Sequence, residues 1–253
     1  MNGKAITRLP RSPARRLILH AAALLDLVLP RHCVLCGAAC GVGNVCPPCR
    51  ADLPRAEEVC AICALPLRHA PDLVCGACLQ RPPPWNEAVA GLAYRFPVDR
   101  LVCRLKFSRD VSCLEILALE LTDAVRRAGG ERPDIIAPVP LHRTRLFHRS
   151  FNQADLLARH LGKALGIPVH SRMLTRTRRT LAQSGLDAAQ RRRNIRGAFA
   201  CQRRNGIDLA GGRVALVDDV MTTGATLAEC CRTLKGAGAA GIAVWVASRA
   251  PPG

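Results

Sequence analysis

One stretch constrains this chain more than any other: Arg213-Val-Ala-Leu-Val-Asp-Asp-Val-Met-Thr-Thr-Gly-Ala-Thr-Leu227. It begins as an apolar, β-rich run, passes two adjacent carboxylates, and enters a small hydroxyl-rich turn leading to a helical pattern that ends near Gly236. Strand, acidic edge, short loop and helix start, in that order, call for an α/β sheet, in which ligands sit beyond the carboxyl ends of the strands. A helix N-terminus offers an anion unpaired amides and a favourable dipole. Thr222, Thr223, Gly224, Ala225 and Thr226 therefore form a turn suited to a phosphate, while Asp218 and Asp219 can accept hydrogen bonds from vicinal hydroxyls. Together they read as a sugar-phosphate site. An Asp-Asp pair alone also occurs at strand ends in phosphatase-like and receiver-like folds, and the Thr-Thr-Gly-Ala-Thr turn is what narrows the reading.

Leu216 to Thr226 resembles the phosphoribosyl-diphosphate (PRPP) motif of type I phosphoribosyltransferases. The resemblance implies an α/β fold with a twisted, mainly parallel sheet flanked by helices. It also implies a ligand, PRPP with Mg²⁺: Asp218 and Asp219 on the ribose hydroxyls as the catalytic pair, and Val220, Met221, Thr222, Thr223, Gly224, Ala225 and Thr226 as the PRPP-binding loop.

The second constraint is cysteine spacing. Cys33/Cys36, Cys46/Cys49, Cys60/Cys63 and Cys75/Cys78 are four Cys-x-x-Cys pairs in one short segment. Each knuckle puts two thiolates on a tight turn, and two knuckles complete a tetrahedral zinc set. Two structural Zn²⁺ ions in a double ribbon are expected; sequential pairing is the simplest arrangement, and crossed pairing fits the spacing too. Four thiolates leave no open position for catalysis, and a segment this rich in Pro, Gly and Cys has little apolar area to fold without a staple. His32, Cys40 and His69 lie nearby and are left outside the shells. Redox chemistry is the rival reading of such pairs, and four in succession argue against it. The remaining cysteines, Cys103, Cys113, Cys201, Cys230 and Cys231, are expected to pack as small hydrophobes.

Fourteen cysteines arranged mostly in metal-type pairs point to a reducing compartment, hence a cytoplasmic protein. The basic start and the apolar run Leu17–Leu29 imitate a signal peptide, but His20 and Asp26 interrupt it and it is too short to span a bilayer. A basic tail and lead-in helix over 1–29, a double zinc ribbon over 30–80, and a second domain over 85–253 after the Pro82-Pro83-Pro84 run are expected. With 37 Lys and Arg against 19 Asp and Glu, the net charge of +18 favours polyanionic partners, nucleic acid among them.

Past the prolines, the pattern predicts a strand over 87–94, a helix over 98–107 and a longer amphipathic helix over 112–127. Lys106 on the first helix is a candidate phosphate ligand, against the plainer reading of a solvated helix face. Asp134 to Val139 reads as a strand reaching a Pro-bounded turn, followed by Arg143, Arg145 and Arg149. A helix then runs from a cap at Ser150 or Asn152 to Gly166.

Four Cys-x-x-Cys pairs, Pro-Val-Pro-Leu-His, Arg149-Ser-Phe-Asn-Gln153 and the PRPP motif, in this order, closely resemble the ComF family of competence-related, amidophosphoribosyltransferase-like proteins. The likeness runs from Leu24 to Arg249. Ser150 departs from it, because that family's pattern has Gly there. The resemblance implies that Arg143, Arg145 and Arg149 face pyrophosphate, and that the segment carrying Arg178 and Arg191 is a lid over the site. From Ser171 to Arg204 the chain has ten arginines and one acid, Asp187, which is half of its net charge. Such a run suits pyrophosphate or a nucleic-acid backbone.

The expected function is phosphoribosyl transfer from PRPP to a nitrogen acceptor, linked to competence and DNA uptake. A glutaminase step is not expected, because residue 2 is Asn and the first cysteine, Cys33, sits in a knuckle. The alternative is a non-catalytic, PRPP- or nucleotide-responsive protein that binds single-stranded DNA, or a scaffold for the competence machinery.

Overall fold

The computed structural model describes residues 31–40, 43–67, 74–142, 146, 150–178, 188–202 and 209–251, without the side chains of 188, 189, 191 and 192. The expected lead-in helix and His69 lie outside these residues. The chain divides into two compact units, Met1–Ala51 and Asp52–Gly253.

The described part of the first unit is a zinc-ribbon knuckle. Strands β1 (Arg31–His32) and β2 (Ala39–Cys40) pair antiparallel, and a short helix, α1 (Pro47–Ala51), follows. The Cys33 amide donates to the Ala38 carbonyl and the Gly37 amide to the Cys33 carbonyl, which curls the first Cys-x-x-Cys turn.

The second unit is built on a four-stranded sheet of order β3-β8-β7-β4, with every neighbouring pair parallel. Its strands are β3 (Glu87–Ala93), β4 (Ile135–Pro138), β7 (Arg213–Met221) and β8 (Gly241–Arg249). β8 is buried along its whole length, which accounts for its unbroken apolar run Ile242–Ala247: a strand covered on both faces loses the alternation of a half-exposed one.

Helix α3 (Val98–Phe107) turns Leu101, Val102 and Leu105 inward. Helix α4 (Ser112–Ala128) packs on β3 and β8, and α5 (Gln153–Leu165) on β4 and β7. A Cβ at Gly91 would stand 2.9 Å from the Leu121 amide nitrogen, so β3 and α4 approach closer than any side chain there permits. Helix α7 (Ala225–Gly236) buries Leu227, Cys230 and Leu234 with Leu216, Val244 and Val246 in the main core. Each such leucine contributes roughly 1.5–3 kcal/mol of transfer free energy. An antiparallel pair, β5 (Leu174–Arg176) and β6 (Phe199–Cys201), flanks the sheet, with α6 (Ala188–Ile195) between them in the chain.

The second knuckle pair belongs to this same unit and covers its edge strand. Ala93 donates to the Pro54 carbonyl, Ala56 to Gly91 and Ala88 to Ala61, so the 54–61 segment runs along β3. Arg55 reaches the buried Glu120 of α4, Nε to Oε2 at 3.0 Å. Ala64, between the Cys60/Cys63 turn and helix α2 (Gly76–Gln80), is part of the main core. An edge whose open amides and carbonyls would otherwise invite another strand is thereby closed.

Candidate phosphate site and metal centres

β4 and β7 are adjacent, and their carboxyl ends open on one cavity of about 510 Å³. One wall is the turn after β4, Val139-Pro140-Leu141. The other is the end of β7 with the first residues of α7, from Asp218 to Leu227. β7 does not stop at the acids: its pairing with β8 continues through Val220↔Ser248 and Met221↔Arg249. This register holds Asp218 and Asp219 rigidly on the sheet and leaves only Thr222, Thr223 and Gly224 to make the turn.

Gly224 caps α7 with φ of +71°, and a Cβ there would come within 3.0 Å of the Trp85 ring. Only glycine meets both conditions cheaply. The twelve-residue helix thus presents its N-terminal end to the cavity, the arrangement that favours an anion.

The two carboxylates differ. Asp219 is 7% exposed, and its Oδ2 lies 3.0 Å from Lys106 Nζ on α3. Asp218 is half-buried and accepts from the Asp219 amide at 2.9 Å. Burial raises its carboxyl to about 7, the like charge of Asp219 adds to the rise, and Lys106 opposes it. Lys106, weighed from sequence as a phosphate ligand or a solvated lysine, is in fact a wall of the cavity paired to an acid.

Asn152 ties the start of α5 to the turn after β4. Its Oδ1 accepts from the Ala154 amide to cap α5, and its Nδ2 donates to the Val139 carbonyl at 3.0 Å. Ser150, just before it, has φ of +66°, in the left-handed region. The Gly of the family pattern suits that conformation, and here a serine carries the strain.

Arg178 donates to the carbonyls of Asn194 and Arg196, near the two ends of the segment expected to form a lid. It is not among the cavity-lining residues, whereas Arg176 is. Arg143, Arg145, Arg149 and the Arg191 side chain lie outside the described residues. Sequence reasoning missed Tyr94, Arg176 and Cys103 at this cavity. For Arg176 a signal existed, since residues alternate sides along β5 and Leu174 is buried. Cys103, expected to pack, is exposed on the side of α3 that faces the cavity, while Cys113, Cys230 and Cys231 are buried as expected.

The knuckle cysteines form two groups, Cys33/Cys36/Cys46/Cys49 and Cys60/Cys63/Cys75/Cys78, each with all four sulfurs within 4.8 Å of one another. Cys36 and Cys46 Sγ are 3.7 Å apart, as are Cys63 and Cys75 Sγ. A tetrahedral site with Zn–S bonds of about 2.3 Å requires sulfur–sulfur edges of about 3.8 Å, so both groups fit zinc in sequential pairing. Cys40 is outside the first group, with its Sγ directed to the Gly43 carbonyl. Among the described residues no helix is long and apolar enough to cross a membrane.

A parallel sheet with an acidic strand end, a phosphate-type turn and a facing Pro-bounded loop, joined to paired Cys₄ groups, defines a type I phosphoribosyltransferase domain with a double zinc ribbon. Family models agree: a double zinc ribbon domain matches residues 24–79 and a phosphoribosyl transferase domain residues 148–252. DNA utilization protein YhgH of Escherichia coli O157:H7 is 39% identical over 229 residues, covering 88% of this chain and 99% of that protein. Competence protein F of Haemophilus influenzae is 35% identical, covering 82% and 91%. Among solved structures, glutamine PRPP amidotransferase from B. subtilis is 21% identical over 58% of this chain and 30% of its own, with a TM-score of 0.39. With relatives this similar over nearly their whole length, the chain is a member of the ComF family of competence proteins.

Proposed function

We propose that the cavity binds PRPP with Mg²⁺ and that the protein transfers its phosphoribosyl group to a nitrogen acceptor. The observation that carries this reading is the convergence of Asp218, Asp219 and the 222–226 turn on the same cavity as the Val139–Leu141 turn. The 5′-phosphate takes the end of α7, the ribose hydroxyls donate to Asp218 and Asp219, and the diphosphate lies toward Leu141 and Arg176. Arg143, Arg145 and Arg149 follow that turn in the chain and supply charge-assisted bonds to the leaving group; Arg178 and Arg191 belong to the lid.

Mg²⁺ suits the hard oxygen donors of the carboxylates and the diphosphate, and neutralises part of the developing charge when bound. The rest is positioning. As the glycosidic carbon loses pyrophosphate it gains positive character, and the two aspartates, held on a rigid strand, stabilise it without moving. A covalent nucleophile is not required.

The test is pyrophosphate release on incubation with PRPP, Mg²⁺ and a panel of ammonia, amines and nucleobases, beside Asp218→Asn/Asp219→Asn. Release above the variant's background supports transfer. PRPP binding with no release for any acceptor would favour a second reading, a PRPP-responsive protein that binds single-stranded DNA through its basic lid. That reading draws on the +18 net charge and on the printed roles of the relatives, DNA utilization and competence.

A further inference from the structure

We infer that Arg249 is a positioning residue that makes the second zinc centre part of the phosphate site, so that occupancy of Cys60/Cys63/Cys75/Cys78 sets the affinity of the 222–226 turn for its ligand. Arg249 ends β8 and is 7% exposed. Its Nε donates to the carbonyl of Cys63, a member of the metal group, at 2.9 Å. Its Nη1 donates to the carbonyls of Met221 at 3.1 Å and Thr222 at 2.6 Å, and also to that of Ala250. One planar guanidinium therefore fixes a zinc knuckle and the start of the phosphate turn to each other.

Trp85 makes a second link of the same kind. Its indole N–H donates to the carbonyl of Ile62, inside the Cys60–Cys63 knuckle, at 2.5 Å. Its ring lies against Gly224, the residue whose left-handed conformation starts α7. Ile62 and Cys63 are thus held to Met221, Thr222 and Gly224 by two buried side chains.

Geometry makes the link depend on the metal. Arg249 is a permanent cation held by four main-chain carbonyls and by the Cys63 side chain; among the described residues no carboxylate pairs with it. Burying such a charge unpaired is costly. Cys63, whose carbonyl accepts from the guanidinium, is itself one of the four thiols that would hold the metal. Metal loss removes the constraint that fixes the geometry of the Cys60–Cys63 turn. Arg249 then has less reason to stay buried, and Met221 and Thr222 lose their shared donor.

The affinity arm of the test rests on the PRPP reading of the cavity; the hydrogen-exchange arm does not. In the full-length, zinc-loaded protein, Arg249→Gln is expected to retain two zinc ions per chain, to speed exchange of the 222–226 amides at least tenfold, and to weaken PRPP binding at least tenfold. Arg249→Lys, which keeps the charge and part of the hydrogen bonding, is expected to recover a good part of both. Cys75→Ser/Cys78→Ser, reduced to one zinc per chain, should show the same faster exchange and weaker binding. Wild-type exchange and affinity in Arg249→Gln with zinc retained would overturn the inference even if the cysteine variant fails to fold. Should the wild type give no PRPP binding while exchange still follows Arg249 and zinc, the ligand reading fails and the coupling stands.

Discussion

Lys106 Nζ lies 3.0 Å from Asp219 Oδ2, so a lysine from α3 and an acid from β7 close one side of the cavity at the carboxyl ends of β4 and β7 with an ion pair. The pair offsets one of two adjacent carboxylates that a diphosphate ligand would otherwise meet uncompensated. Removing Lys106 leaves two like charges side by side, which opposes an anionic ligand and raises Asp218 further. Lys106→Ala is expected to weaken PRPP binding by at least tenfold, about 1.4 kcal/mol, and Lys106→Arg to weaken it less. Titration calorimetry of the three proteins checks this.

Asp218 makes binding depend on pH near neutrality. With its folded value raised to about 7, it is largely protonated at pH 6 and largely ionised at pH 8. A donating ribose hydroxyl is held more strongly by the ionised carboxylate than by the neutral acid, so PRPP affinity should rise between those values and Asp218→Asn should flatten the profile. Stability moves the opposite way. The folded state holds the proton more tightly than the unfolded chain, so this contribution is fully present below the unfolded value of 3.8 and is lost as pH rises through about 7. Asp218→Asn should therefore be more stable than wild type at pH 8, by on the order of 1–3 kcal/mol, and lose that advantage near pH 4. Urea melts at both pH values measure it.

Ser150 carries backbone strain at φ of +66°, one residue before the Phe151-Asn152 entry to α5. Ser150→Gly relieves it at some cost in unfolded-chain entropy, for a net gain of about 0.5–1 kcal/mol. Ser150→Ala, with its Cβ retained, should give no gain. Equilibrium denaturation of the zinc-loaded proteins distinguishes them.

The arginines of the 171–204 segment bear on DNA. If they track a phosphate backbone, replacing Arg191, Arg192 and Arg193 by alanine should lower the slope of log affinity against log salt by about 2, at roughly 0.7 per lost contact on a single strand. Asp218→Ala/Asp219→Ala should leave that slope as it is. Fluorescence anisotropy with a labelled single-stranded oligonucleotide between low and moderate salt reads both.

The parts of the site that could be read from the sequence are those contiguous in it. Strand, acids, turn and helix lie in one run from Arg213 to Gly236, and each local signal agrees with the next. The knuckles are legible for the same reason, since metal geometry is written in two-residue spacings. α3 and α5 begin and end within a residue of the expected positions, because Asn152 and Gly166 are strong end signals for α5 and the apolar period of α3 is clear. What stayed hidden depends on tertiary crossing. Tyr94 and Arg176 come to the cavity from segments far apart in the chain, and the acid that pairs with Lys106 lies on a strand more than a hundred residues on. Arg249 looks like the polar end of a buried strand, and nothing local shows that its guanidinium spans from a knuckle to the phosphate turn. Cys103 reads as one more small apolar residue, yet the turn of α3 that buries Leu101, Val102 and Leu105 leaves it exposed on the cavity.

The central claim is that this cavity recognises PRPP through Asp218, Asp219 and the 222–226 turn. Its most direct test is calorimetric titration of the zinc-loaded protein with PRPP and Mg²⁺ at pH 8, beside Asp218→Ala/Asp219→Ala with the same zinc content. The account predicts micromolar binding, about −8 kcal/mol, in the wild type and its loss in the variant. Equal heats in the two proteins, or none in the wild type, would contradict it.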